Sequence, residues 1–89
     1  MLKGKTAVVT GGTRGIGYAI VKKFLDNGAS VALFGSRQET VDKALQSLKE
    51  ENPDYPVMGL CPDLCDSEAV GAAFAQVKEA FGSLDILAN

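Results

Sequence analysis

Four glycines stand in the eight residues Thr10-Gly11-Gly12-Thr13-Arg14-Gly15-Ile16-Gly17, directly behind the apolar run Thr6-Ala7-Val8-Val9-Thr10. Glycine at this density serves a backbone that must take positive φ or let another group come close. A strand that turns at once into a helix aims the helix's unpaired N–H groups, and the positive end of its dipole, at the strand's C-terminal edge. An anion reaches those groups only where no side chain intervenes, a condition that Gly11, Gly15 and Gly17 meet. The spacing matches neither G-x-G-x-x-G nor the P-loop, because Tyr18 rather than lysine follows Gly17. What stands is Thr-Gly-x-x-x-Gly-x-Gly, a turn open to a pyrophosphate, although a strand–helix turn can also need glycine for its geometry alone.

Other reactive side chains are few. The chain has no histidine, which excludes imidazole acid–base catalysis, and Cys61 and Cys65 are too far apart for a C-x-x-C redox or zinc motif. They are expected to be free, structural thiols. Tyr18 and Lys22 have the i, i+4 spacing of a catalytic dyad but lie within one helix, on its surface, and Tyr55 has no lysine at that spacing. The chain's two arginines are Arg14, inside the glycine turn, and Arg37.

These residues need elements to hold them, and the hydrophobic pattern supplies an alternation. Thr6 to Thr10 reads as a buried strand. The period then changes to that of a helix with Ile16, Ala19, Ile20 and Phe24 on one face, stopped at Asn27-Gly28. Ser30 to Phe34 is a second strand, and Val41, Ala44, Leu45 and Leu48 are the stripe of a second helix ended by Pro53 and Pro56. Val57 to Cys61 is a third strand. Asp66 or Ser67 caps a third helix with a core face of Val70, Ala73, Phe74, Val77 and Phe81, and Leu84 to Ala88 makes a fourth strand. The order βαβαβαβ predicts a parallel sheet with right-handed crossovers, the N-terminal half of a Rossmann-type doubly wound α/β fold.

With 89 residues the chain holds one domain at most, and 46% apolar with 22% charged residues describes an ordinary globular composition. A net charge of −2, scattered without a basic stripe, argues against nucleic acid as a partner. The apolar run Ala7 to Val9 is too short for a signal-peptide core, so a cytoplasmic location is expected.

The glycine turn, Asp63 after the third strand and "LDILAN" at the fourth together resemble the short-chain dehydrogenase/reductase family, over all 89 residues. That resemblance implies a nicotinamide dinucleotide held by Gly11, Thr13, Arg14, Gly15, the Ile16 N–H and Gly17. It assigns the adenine amino group to Asp63 and the ring to the backbone of Leu64, and places Asn89 near the adenosine ribose. Asp63 also reads as a simple turn residue after Pro62. At the end of the second strand, where an acid marks NAD, the chain has Ser36 and Arg37 and no carboxylate before Glu39, which predicts NADP(H). Ser36-x-x-Glu39 is equally a capping box for the second helix.

Family members transfer hydride between cofactor and a small-molecule carbonyl or alcohol with Ser, Tyr and Lys, supported by Asn, all supplied after the fourth strand. None of that region is in these residues. The chain is therefore expected to be a partial NAD(P)-binding domain, residues 1–89, that does not catalyse alone and leaves Leu84 to Ala88 as an open apolar edge. Such an edge favours self-association, as in a homo-oligomer, or cover by further protein. Within the family the chain is most similar to 3-oxoacyl-carrier-protein reductases. A narrower similarity to bacterial bile-acid 3α-hydroxysteroid dehydrogenases runs through Val9 to Gly17, Asp26 to Ala29, Phe34-Gly35 and Cys61 to Leu64, although those NAD-using enzymes carry an acid where this chain has Ser36. A non-catalytic nucleotide-binding module is the rival reading.

Overall fold

The computed structural model describes residues 2–13, 15–63 and 65–88. Its elements follow the expected alternation: β1 (Thr6–Thr10), α1 (Gly15–Asp26), β2 (Ser30–Phe34), α2 (Gln38–Glu51), β3 (Val57–Leu60), α3 (Ser67–Phe81) and β4 (Ile86–Ala88). The strands form one parallel sheet in the order β3-β2-β1-β4, with Thr6 opposite Ser30, Val31 opposite Val57 and Ala7 opposite Ile86. The middle of β1 (Ala7, Val8, Val9) and β2 from Val31 to Phe34 are apolar because both faces of the sheet are covered there. Ala7, Val9, Val31 and Leu33 face α1 and α2, while Val8, Ala32 and Phe34 face α3. Since β1, β2, β3 and β4 are parallel, all four C-terminal ends lie along one edge of the sheet, where open α/β folds bind ligands.

The face that α1 buries differs from the periodicity reading. Val21 and Leu25 are buried, Ile20 and Phe24 only half-buried, Ala19 exposed, and the Ile16 side chain is 82% exposed. The reason lies in the glycine turn. A Cβ on Gly17 would sit 2.0 Å from the Gly11 carbonyl oxygen, so the helix meets the turn through Gly17 and continues along the i, i+4 line through Val21 and Leu25. Ile16, one residue before that line, is thereby turned outward.

α2 buries Val41, Ala44 and Leu48, with Leu45 half-buried, as its pattern requires. Its start is another correction, because the Ser36–Glu39 capping box does not form. The N-cap is Arg37, which makes no side-chain cap bond, and the Thr40 hydroxyl donates to the Arg37 carbonyl at 2.9 Å. α3 is capped by Asp66, whose Oδ1 accepts from the N–H groups of Glu68 at 3.0 Å and Ala69 at 3.3 Å, and it buries Ala73 and Val77. Phe74 on α3 packs on Phe34 with ring centroids 5.5 Å apart.

The ionic fastenings collect at the other, N-terminal edge of the sheet. The Lys22 ammonium bridges Glu51 at 3.0 Å and Asp26 at 3.2 Å, tying the end of α1 to the end of α2. These two bonds hold Lys22 well above the ordinary lysine range. The buried Tyr55 donates its phenol proton to Asp26, which lowers the Asp26 carboxyl, with Lys22 adding to the effect. Asp85 accepts from the Thr6 N–H at 2.9 Å and from the Ser83 hydroxyl at 3.0 Å, bonds that lower its pKa and anchor the entry to β4 on β1. With these clasps at the N-terminal edge, the C-terminal edge is left to the loops.

Candidate functional site

At the C-terminal edge, β1 runs into a turn with Gly11 at φ 69° and Gly15 at φ 63°, left-handed values that a side chain would strain. Chain neighbours aside, no atom of the described residues lies within 4 Å of where their Cβ atoms would be, which leaves that space open. Gly17 differs, its Cβ position being filled by the backbone of Gly11 and Gly12. Closing the turn this tightly brings the first N–H groups of α1 to the sheet edge beside β1. α1 has no acidic residue in its first turn to neutralise them. Such a cradle fits a pyrophosphate. The exposed Ile16 is an apolar side chain standing at its rim.

The loop after β2 joins this cradle. The N–H groups of Gly11 and Gly12 both donate to the Phe34 carbonyl, at 2.9 and 3.4 Å. A Cβ on Gly35 would lie 2.7 Å from the Thr13 methyl and 2.6 Å from a Val41 methyl, so the chain passes the glycine turn at van der Waals distance. Ser36 and Arg37 follow, both exposed, on a loop that starts beside Thr13 of the glycine turn. Arg14 itself, with Leu64 and Asn89, lies outside the described residues.

The loop after β3 carries Asp63, exposed, whose Oδ1 accepts from the Cys65 N–H at 3.0 Å while its carbonyl accepts from Asp66 N–H at 2.9 Å. Asp63 is thus a turn residue, and its second carboxylate oxygen has no partner among the described residues. Cys61 and Cys65 are both free, but Cys65 is exposed rather than buried, because the turn at Asp63 carries it outward. On the far side of β1, the Thr10 hydroxyl donates to the Ala88 carbonyl at 3.4 Å, fixing the end of β4 against the cradle. Tyr18 and Lys22 do not form a dyad, since Lys22 is engaged with Asp26 and Glu51.

A groove of about 440 Å³ runs from the glycine turn between α1 and α2, lined by Thr13, Tyr18, Thr40, Lys43, Ala44 and Ser47. Sequence reasoning did not single out Lys43, Thr40 or Ser47, which read as the solvated side of α2. Their i, i+3, i+7 spacing was the available sign that they share a face.

A parallel sheet whose first turn is a glycine cradle at the C-terminal edge defines a dinucleotide-binding protein of the Rossmann type. The family model for short chain dehydrogenases matches residues 5–89, and the chain belongs to that family, whose members bind nicotinamide dinucleotides. It is 62% identical, over all 89 residues, to a 3alpha-hydroxysteroid dehydrogenase of Mediterraneibacter gnavus, of which it covers 36%. It is 33% identical to a 3-oxoacyl-[acyl-carrier-protein] reductase of Chlamydia muridarum, again covering all of this chain and 36% of the relative. Among solved structures, L-sorbose reductase of Gluconobacter frateurii, complexed with NADPH and L-sorbose, superposes with a TM-score of 0.81 at 35% identity, over 97% of this chain and 32% of that one. The chain thus spans about a third of the length of the relatives it matches. Among the described residues no helix is long and apolar enough to cross a membrane.

Proposed function

We propose that residues 1–89 are the adenosine- and pyrophosphate-binding part of a cytoplasmic, homo-oligomeric, NADP(H)-dependent oxidoreductase that moves hydride between the nicotinamide and a small-molecule carbonyl or secondary alcohol. The observation that carries the cofactor choice is the end of β2. There, exposed Ser36 and Arg37 follow Gly35, whose backbone passes the Thr13 methyl of the glycine turn, with no carboxylate before Glu39 to receive a ribose 2′-OH and a guanidinium, without an ion pair among the described residues, to meet a 2′-phosphate. Gly15, Ile16 and Gly17, at the start of α1, hold the pyrophosphate through backbone N–H groups, with Thr13 and Arg14 beside them; Gly11, whose own N–H is bonded to the Phe34 carbonyl, gives the turn its left-handed bend, and Ile16 covers one side of the bound dinucleotide. Asp63 and Leu64 receive the adenine, and Asn89 the adenosine ribose. The bound nicotinamide supplies the hydride chemistry, and the residues that move protons belong to the part of the enzyme beyond β4.

Two substrate classes are open to such an enzyme, 3-oxoacyl thioesters and hydroxysteroids. The 62% identity to a 3alpha-hydroxysteroid dehydrogenase, against 33% to an acyl-carrier-protein reductase, favours the steroid. The test uses the full-length protein. NADPH is expected to bind about ten- to a hundredfold more tightly than NADH, the range that one or two charge-assisted bonds to arginine provide. A 3-ketosteroid is expected to oxidise NADPH faster than a 3-oxoacyl thioester does. Equal or tighter binding of NADH refutes the cofactor assignment, and binding without turnover of either ketone points to the non-catalytic module.

A further inference from the structure

The groove between α1 and α2 holds a cation that the fold does not use. The ion pairs among the described residues belong to Lys22, and Lys43 has none, although Glu39 stands four residues before it on the same helix. The other polar groups of the lining are hydroxyls: Thr13, Tyr18, Thr40 and Ser47. Thr40 already donates its proton to Arg37, which leaves Thr13, Tyr18, Ser47 and the Lys43 ammonium as donors. A groove with several donors, a lysine and no carboxylate in its lining is matched to an anion. Its mouth is fixed by Thr13, whose methyl lies against the Gly35 backbone position, and so opens where the chain leaves β2. Lys43 lies six residues along α2 from the Arg37 N-cap, a rise of about 9 Å, and its flexible stem lets the ammonium reach back towards that mouth.

We infer that Lys43 and the hydroxyl-lined groove beside it bind the 2′-phosphate of NADP(H), making Lys43 a residue that selects between the two nicotinamide cofactors. This rests on the NADP(H) reading above and deepens it. The phosphate would enter at Thr13, with Arg37 on one side and Lys43 on the other. Because the ammonium is solvent-facing, its effect on affinity is expected to fall with added salt.

The experiment measures dissociation constants for NADPH, NADH, adenosine 2′,5′-bisphosphate and AMP on the full-length wild-type protein, Lys43→Ala and Lys43→Arg. Lys43→Ala is expected to weaken NADPH and the bisphosphate about tenfold, the effect of one charge-assisted bond, leaving NADH and AMP within about twofold. Lys43→Arg should restore most of the loss. Unchanged NADPH affinity in Lys43→Ala, or an equal loss for NADH, overturns the inference. If the wild-type protein prefers NADH, the NADP(H) reading itself has failed. The groove is then judged on the bisphosphate against AMP alone: a preference abolished by Lys43→Ala keeps the anion site, and no such preference removes it.

Discussion

Gly17→Ala is expected to weaken dinucleotide binding by more than about a hundredfold and to lower the thermal midpoint of the full-length protein. The new methyl would lie 2.0 Å from the Gly11 carbonyl oxygen, 2.8 Å from its carbon and 3.2 Å from the Gly12 Cα. All three are backbone atoms, so no rotamer change relieves the clash, and either α1 tilts away from β1 or the turn opens. Overpacking of this kind costs about 1–3 kcal/mol. The loss in binding is expected to exceed the loss in stability because the same shift withdraws the α1 N–H groups from the proposed pyrophosphate position, and misplacement by about 1 Å is enough to lose a hundredfold. Gly71→Ala is the control. Gly71 lies within α3, with nothing within 4 Å of its Cβ position, and alanine there is expected to stabilise by about 0.5–1 kcal/mol without touching affinity. Calorimetric titration with NADPH beside thermal unfolding of the two variants separates these outcomes, and a Gly17→Ala protein of normal affinity would remove the cradle from the site.

The same contact explains which parts of the fold the pattern of residues revealed and which it concealed. Alternation of strand and helix showed because each element buries a stripe of its own period. β1 and β2 carry unbroken apolar runs, Ala7 to Val9 and Val31 to Phe34, α2 shows Val41, Ala44 and Leu48, and α3 has its Asp66 cap and Ala73 and Val77 facing inward. All of these follow from neighbours within one element. The orientation of α1 does not, because it is set by a contact between Gly17 and the backbone of Gly11 that no hydrophobic count registers. Ile16 therefore reads as core while standing open at the rim of the cradle. Ser36 is a second case. Its spacing to Glu39 fits a capping box, yet the chain leaving Gly35 makes Arg37 the N-cap and leaves Ser36 exposed. Lys43 was hidden for a third reason, since an exposed lysine on an amphipathic helix looks solvated until the neighbouring helix supplies the opposite wall.

The exposed Ser36 bears on the second large effect: on the proposed NADP(H) assignment, Ser36→Asp is expected to reverse the cofactor preference. The residue follows Gly35, whose N–H donates to the Leu60 carbonyl at 3.1 Å and whose backbone lies against Thr13, so its position relative to the glycine turn is fixed by β3 on one side and β1 on the other. A carboxylate placed there would accept the ribose hydroxyls of NAD and repel the 2′-phosphate of NADP. Like charges brought together at a binding surface cost several kcal/mol when desolvated and less when open to water. With Ser36 exposed, the lower end applies, and the ratio of NADPH to NADH affinity is expected to fall about a hundredfold. The substitution should leave the fold intact, because Ser36 caps nothing and the Thr40 hydroxyl, not Ser36, bonds the first turn of α2. Full-length Ser36→Asp should therefore unfold at the wild-type temperature while its kcat/KM with NADH rises and that with NADPH falls. Loss of activity with both cofactors would mean that Ser36 positions the turn rather than facing the ribose, and no change with either would move the 2′-position away from the end of β2 altogether.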